Sequence, residues 1–124
     1  LGEEGGAGIR ILILDTEQPT LKKMQSYLQE LDYISYTEVY TQSEMMLDAY
    51  RRERPGMVFI RVGRPDLNGL SAARRIRAMD ELAKIVFICK NQDYTTLAWE
   101  LRAVDYLLDP LDYDRFIEVL ARAG

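Results

Sequence analysis

Pro55-Gly-Met-Val-Phe-Ile-Arg-Val-Gly-Arg-Pro-Asp-Leu-Asn-Gly-Leu70 holds one complete structural unit. Met57–Val62 is apolar without polar alternation, broken only by Arg61, as in a strand buried on both faces of a parallel sheet. Pro65-Asp-Leu-Asn-Gly69 reads as a loop. Behind it Leu70, Ala73, Ile76 and Met79 form a helical stripe. The same unit recurs outward in both directions. Ile9–Leu14, Ile85–Cys89 and Tyr106–Leu108 are further apolar runs, and Ser35–Tyr40 alternates like an edge strand. Leu21, Met24, Leu28 and Leu31 mark a helix after the first run, and Met46, Leu47 and Tyr50 one after the second. Leu97 with Leu101, and Phe116 with Leu120, mark the last two. Strand and helix therefore alternate five times. Right-handed crossovers then give an α/β fold, an open five-stranded parallel sheet between two helical layers.

Composition narrows the function. The 124 residues fit one domain, assigned to 9–124, and can bury a core without disulfides or metal. Leu1-Gly-Glu-Glu-Gly-Gly-Ala-Gly8 is glycine-rich and acidic and lacks the features of a signal peptide. Residues 1–8 are expected to be a disordered lead-in or a leftover of cloning. Net charge is −4, which argues against direct nucleic acid contact through a basic surface. There is no histidine, so histidine-based acid–base chemistry and His/Cys zinc sites are excluded. Cys89 is the only cysteine, which rules out an intrachain disulfide and fits a cytoplasmic location. No apolar stretch reaches the roughly 20 residues that span a bilayer.

In a doubly wound sheet the site lies where the strands end. The residues there are Asp15, Thr16 and Glu17, then Arg61, then Cys89 and Lys90, then Asp109 before Pro110. A phosphate or flavin cradle would place Gly, Ser and Thr donors at the first helix. Asp15 and Glu17 repel phosphate instead, so no cofactor is expected. Nucleophilic catalysis of the Ser-His kind lacks its base, and no catalytic residue is assigned.

Over about Ile9 to Ala123 the sequence resembles the response-regulator receiver family, most closely receivers of LytTR-type regulators. The resemblance rests on Ile11-Leu-Ile-Leu-Asp-Thr-Glu17, on Pro55 to Leu70, and on Ala103-Val-Asp-Tyr-Leu-Leu-Asp-Pro-Leu111. It implies a flavodoxin-like (βα)5 three-layer sandwich in two-component signalling. It also implies roles. An Asp on the third strand accepts phosphate, where this chain has Arg61. Two acids after the first strand hold Mg²⁺, where this chain has Asp15 and Thr16. A Ser or Thr after the fourth strand becomes Cys89, and a Lys before the Pro becomes Asp109. One of the five roles survives, so the resemblance implies a pseudo-receiver with no metal site. Tyr106 stands at the switch aromatic and is expected to hold one rotamer. Arg102 stands where the family has Gly; if the helix cap is kept, Arg102 is expected to show a left-handed backbone, and an ordinary φ would mean that the connection is rebuilt.

The third-strand acid and the Lys before Pro have exchanged charge, as Arg61 and Asp109. Arg61 is therefore expected to reach Asp109, Asp15 or both, since its planar fork can bond two carboxylates. Asp15 could instead be satisfied by Lys90 or a backbone N–H. Cys89 reads as packing. Arg51-Arg-Glu-Arg54 and Arg74-Arg-Ile-Arg77 read as solvated helix faces. Three functions stay open. The first is a phosphorylation-independent interaction module, presenting Trp99, Arg102 and Tyr106 to a signalling protein, an effector domain or a second copy. That face would comprise the fourth helix, fifth strand and fifth helix. The second is a receiver phosphorylated at a substitute acid such as Asp66. The third is an α/β domain that binds a small molecule in the strand-end crevice. No membrane partner is expected.

Overall fold

The computed structural model describes residues 8–123. The lead-in expected over 1–8 therefore lies, apart from Gly8, outside the described residues. Five strands and five helices alternate: β1 Ile9–Leu14, α1 Gln18–Gln29, β2 Ile34–Tyr40, α2 Ser43–Glu53, β3 Met57–Arg61, α3 Gly69–Met79, β4 Ile85–Cys89, α4 Thr95–Glu100, β5 Asp105–Leu108 and α5 Tyr113–Ala123. A 3₁₀ turn at Gln92–Tyr94 precedes α4. The sheet is all parallel in the order β2-β1-β3-β4-β5, a flavodoxin-like arrangement. The alternating segment is β2, and it does lie at an edge.

The strand period of two sorts the core into two layers. Leu12, Leu14, Val58, Ile60, Ile85 and Phe87 pack against Met46, Leu47 and Tyr50 of α2, Ala72, Ala73 and Ile76 of α3, and Ala98 of α4. Ile11, Ile13, Met57, Phe59, Val86 and Ile88 pack against Leu21, Met24 and Leu28 of α1 and Phe116, Val119 and Leu120 of α5. β3 and β4 are buried along their whole length, as their unbroken apolar runs require.

Two sequence readings need correction, and the helix marked by Leu97 and Leu101 is present but short. Leu70 and Met79 are only half-buried, while Ala72 and Arg77 are buried, so the α3 stripe sits one residue around from the Leu70/Met79 line. α4 has six residues, and Leu97 and Leu101 are half-buried; Ala98 is its one buried residue. Arg77 is not on a solvated face. It is 8% exposed and donates to four main-chain oxygens: Leu101 at 2.9 Å, Arg102 at 3.1 Å, Asp80 at 3.3 Å and Glu81 at 2.8 Å. A guanidinium can enter the protein this way because its fork saturates on carbonyls.

α4 ends on a left-handed turn. Ala103 N–H bonds Ala98 O at 2.9 Å, and Arg102 has φ +55°. This is a Schellman-type closure with Arg in the glycine position. A non-glycine residue there costs about 1–2 kcal/mol. Arg102→Gly keeps the carbonyl that Arg77 bonds, and part of the gain is offset by glycine's freedom in the unfolded chain. It is expected to raise stability by about 1 kcal/mol, measured as a higher urea midpoint at unchanged m-value. A lower midpoint would show that the Arg102 side chain contributes more than its backbone costs.

Candidate functional site

Asp15 and Arg61 meet because of strand arithmetic. Ile11, Ile13 and Asp15 lie at alternate positions along and just past β1, as do Met57, Phe59 and Arg61 along β3. The strands are adjacent and parallel, with Leu14 opposite Ile60. Asp15 and Arg61 thus emerge side by side at the carboxyl edge, on the face covered by α1 and α5. Both are buried: Asp15 is 0% and Arg61 1% exposed. Arg61 Nε donates to Asp15 Oδ1 at 2.9 Å, and Nη2 donates to Oδ2 at 3.0 Å. Asp15 Oδ1 also accepts the N–H groups of Thr16 at 2.7 Å and Glu17 at 3.1 Å. Lys90 is not its partner and lies 3.7 Å from Glu17 instead.

The other side of the guanidinium faces Asp109. Arg61 Nη1 is 2.5 Å from Asp109 Oδ2, an ionic contact off the hydrogen-bond axis. Thr20, in the first turn of α1, joins the two. Its hydroxyl accepts from Arg61 Nη2 at 3.1 Å and donates to Asp109 Oδ1 at 2.8 Å. Asp109 N–H bonds Cys89 O at 2.9 Å, which fixes the loop after β5 to β4. Lys23 Nζ donates to Leu111 O at 3.2 Å and ties that loop to α1. Burial pulls the Arg61 pKa down, but the hydrogen bonds of Asp15 and the negative charges of Asp15 and Asp109 outweigh it, so the net shift is upward. Arg61 is thus a fixed cation between two carboxylates.

A more exposed ion-pair layer lies above. Arg64 bonds Glu17 across the β1–α1 and β3–α3 loops and holds Asp66 at 3.2 and 3.1 Å. Its hydrogen bonds lower the pKa of both acids. The Asp66 side chain is 60% exposed. Gly69 closes the loop beneath: a Cβ there would come within 2.0 Å of Arg61 O, so only glycine lets α3 start against the end of β3. Cys89 is buried with its thiol 3.8 Å from Leu107 O, and burial pushes its pKa up, which opposes thiolate chemistry.

Elsewhere, Tyr106 is half-buried beneath the Arg115 guanidinium, 5.6 Å from its ring centre. Arg115 also holds Asp105 at 2.7 Å and Tyr106 O at 3.0 Å. Trp99 is 84% exposed and Arg102 is exposed beside it. Sequence reasoning missed Thr20, Arg64 and Arg77. Thr20 and Arg64 lie one turn or one loop from strand ends, and nothing local marks them. The run Arg74-Arg-Ile-Arg77 concealed Arg77 among solvated neighbours.

A hard divalent cation needs several free oxygen ligands, usually carboxylates. Here both Asp15 oxygens are taken by Arg61, Thr16 offers only a hydroxyl, and the guanidinium occupies the middle of the site. Among the described residues no group of three His, Cys, Asp or Glu could hold a metal ion. The residues do not fit Mg²⁺.

Comparison with known proteins follows the same lines. The sequence profile described as "Response regulator receiver domain" matches residues 11–121. An uncharacterized response regulatory protein of Yersinia pestis is 32% identical over 92% of this chain and 48% of its own length. The sensory transduction protein LytT of Oceanobacillus iheyensis is 28% identical over 87% of this chain and 45% of its own length. This chain thus spans about half the length of these curated relatives. Protein CcdB of Bacillus subtilis is 30% identical, over 91% of this chain and 95% of its own length. Among solved structures, a response regulator from Chloroflexus aurantiacus superposes with TM-score 0.82 at 18% identity, covering 94% of this chain and 97% of that one. The response regulatory domain of mrkE from Klebsiella pneumoniae gives 0.82 at 21%, covering 93% and 94%. These likenesses concern the fold.

Proposed function

The chain belongs to the response regulator receiver domain family of two-component signalling, and on that premise we propose that it is a pseudo-receiver, a phosphorylation-independent interaction module without enzymatic activity. One observation carries the reading. At the strand position where the resemblance implies a phosphoryl-accepting carboxylate, this chain buries Arg61 between Asp15 and Asp109. Phosphoryl transfer to an aspartate needs the carboxylate and a divalent ion to neutralise the phosphoryl oxygens. Here the carboxylate is a guanidinium and the ion's ligands are engaged. The closed network holds the loop after β5, and with it the neighbouring surface of α4, β5 and α5, in one arrangement. Trp99, Arg102 and Tyr106 on that surface are proposed to meet a signalling protein or effector domain in the cytoplasm. Asp66 is a poor substitute acceptor because Arg64 holds both its oxygens.

The test is incubation with acetyl phosphate and Mg²⁺, read by intact mass. No phosphoryl adduct is expected, and Mg²⁺ alone is expected to leave the thermal midpoint unchanged. A gain of one phosphoryl group, lost on Asp66→Asn, would replace this reading with the substitute-acceptor one. Arg61→Asp alone is expected not to restore phosphorylation, because Thr16 and Asp109 remain.

A further inference from the structure

We propose that the open edge of β2 pairs with the same edge of a second copy of this chain, antiparallel about a two-fold axis at Thr37. The inference is independent of the strand-end site. Among the described residues β2 is hydrogen-bonded on one side only, to β1. Asp15 N–H bonds Tyr40 O at 3.1 Å, so Tyr40 turns its main-chain groups inward. Strand alternation does the same for Glu38 and Tyr36 and turns the N–H and C=O of Thr37 and Val39 outward. Ile34–Tyr40 carries no Lys and no Pro, the usual guards of an edge. A register shift at its start leaves Tyr36–Tyr40 regular. The opposite edge differs. β5 has four residues, and its Asp105 is tied to Arg115 and Arg122 of α5.

Charge and strand length together select the register, since Thr37 is the middle of Ile34–Tyr40 and an axis there pairs the whole strand. Glu38 is the only charged residue in β2. An axis at Glu38 would set two carboxylates directly opposite, which is unfavourable. An axis at Thr37 places Thr37 against Thr37 as a hydrogen-bonded pair and Tyr36 against Glu38 as a close side-chain pair. Tyr36 already donates its hydroxyl to Glu38 within the chain, so the two side chains share a face. The same axis sets Ser35 against Val39 and Ile34 against Tyr40. A cavity of about 430 Å³ lies beside this edge, lined by Gln25, Leu28 and Gln29 of α1 and by Ile34 to Thr37. The two glutamines are one helical turn apart. Their amides both donate and accept, and so can meet the main chain of an added strand. A two-fold contact of this kind closes on itself and does not propagate into a fibre.

The test is sedimentation velocity of the 124-residue chain from micromolar to millimolar concentration. A reversible dimer is expected. Thr37→Pro removes an N–H that faces away from β1, a placement proline tolerates on edge strands. It is expected to weaken the dimer by about tenfold or more while leaving the ladder to β1 intact. Trp99→Ala is expected to leave the dimer unchanged. In the unmodified chain, amide exchange at Thr37 and Val39 is expected to slow as concentration rises, which decides the matter even if Thr37→Pro fails to fold. A monomer at every concentration overturns the proposal. So does a dimer lost on Trp99→Ala but not on Thr37→Pro, or one in which the Thr37 amide exchanges at its monomer rate.

Discussion

Arg61→Ala is expected to destabilise the domain by about 3–5 kcal/mol, the cost of leaving buried charge without its partner. The reason lies in what remains. Asp15 is fully buried, and without Arg61 it keeps only the Thr16 and Glu17 N–H groups. Asp109 keeps the Thr20 hydroxyl but loses its counter-charge. Two like charges then face one cavity that a guanidinium had filled. The intact network need not contribute anything like that much in net terms, since desolvating three charges offsets much of their attraction. A double-mutant cycle separates the two quantities. Asp109→Ala alone should cost less, because Arg61 retains both oxygens of Asp15. Arg61→Ala with Asp109→Ala should be less destabilised than the sum of the single changes, giving a coupling of about 1 kcal/mol or more. Guanidinium denaturation of the four proteins measures it. Simple additivity would show that Asp109 does not share the network.

The second large effect is expected at Arg77, far from the strand ends. Arg77→Met keeps the apolar stem but removes the guanidinium donors to Leu101 O, Arg102 O, Asp80 O and Glu81 O, of which Asp80 O keeps the Ala83 N–H. Hydrogen bonds to a charged group contribute about 1.5–3 kcal/mol each, and water can recover some of these partly buried carbonyls. The net cost is expected to be about 2–4 kcal/mol. The loss should also be local. Arg77 is the tie between the end of α3 and the turn that ends α4, so amides of Arg102 and Ala103 should exchange faster than those of β3. Arg74→Met, on the exposed side of the same helix, serves as control and is expected to change stability by less than about 0.5 kcal/mol. Equal effects at both positions would mean that the buried bonds of Arg77 contribute little.

The sequence alone determined the layered fold. Met57–Val62 and Ile85–Cys89 are apolar at every position but one, and only a strand covered on both faces accommodates that. The helical stripes between them then leave few topologies, because crossovers must be right-handed. The residues at the strand ends were legible for the same reason: a strand's last residue is visible once its apolar run is. The complementary charges of Arg61 and Asp109 could also be read, because the family resemblance sets the two residues where it implies an acid and a lysine. What the sequence could not supply was register and direction. That Asp15 receives two nitrogens of Arg61, while Lys90 pairs with Glu17, follows from the offset of β1 against β3, which no local signal encodes. Thr20 joins the network through the angle at which α1 leaves β1. Arg77 is identical in composition to Arg74 and Arg75, and differs only in which way its stem turns. The turn after α4 then brings Leu101 O and Arg102 O to meet it. Burial of a charge depends on where its hydrogen-bond partners arrive. Two of the four carbonyls that Arg77 bonds come from 24 and 25 residues away, and the carboxylate that Arg61 bonds comes from 46 residues away, so only the tertiary structure decides it.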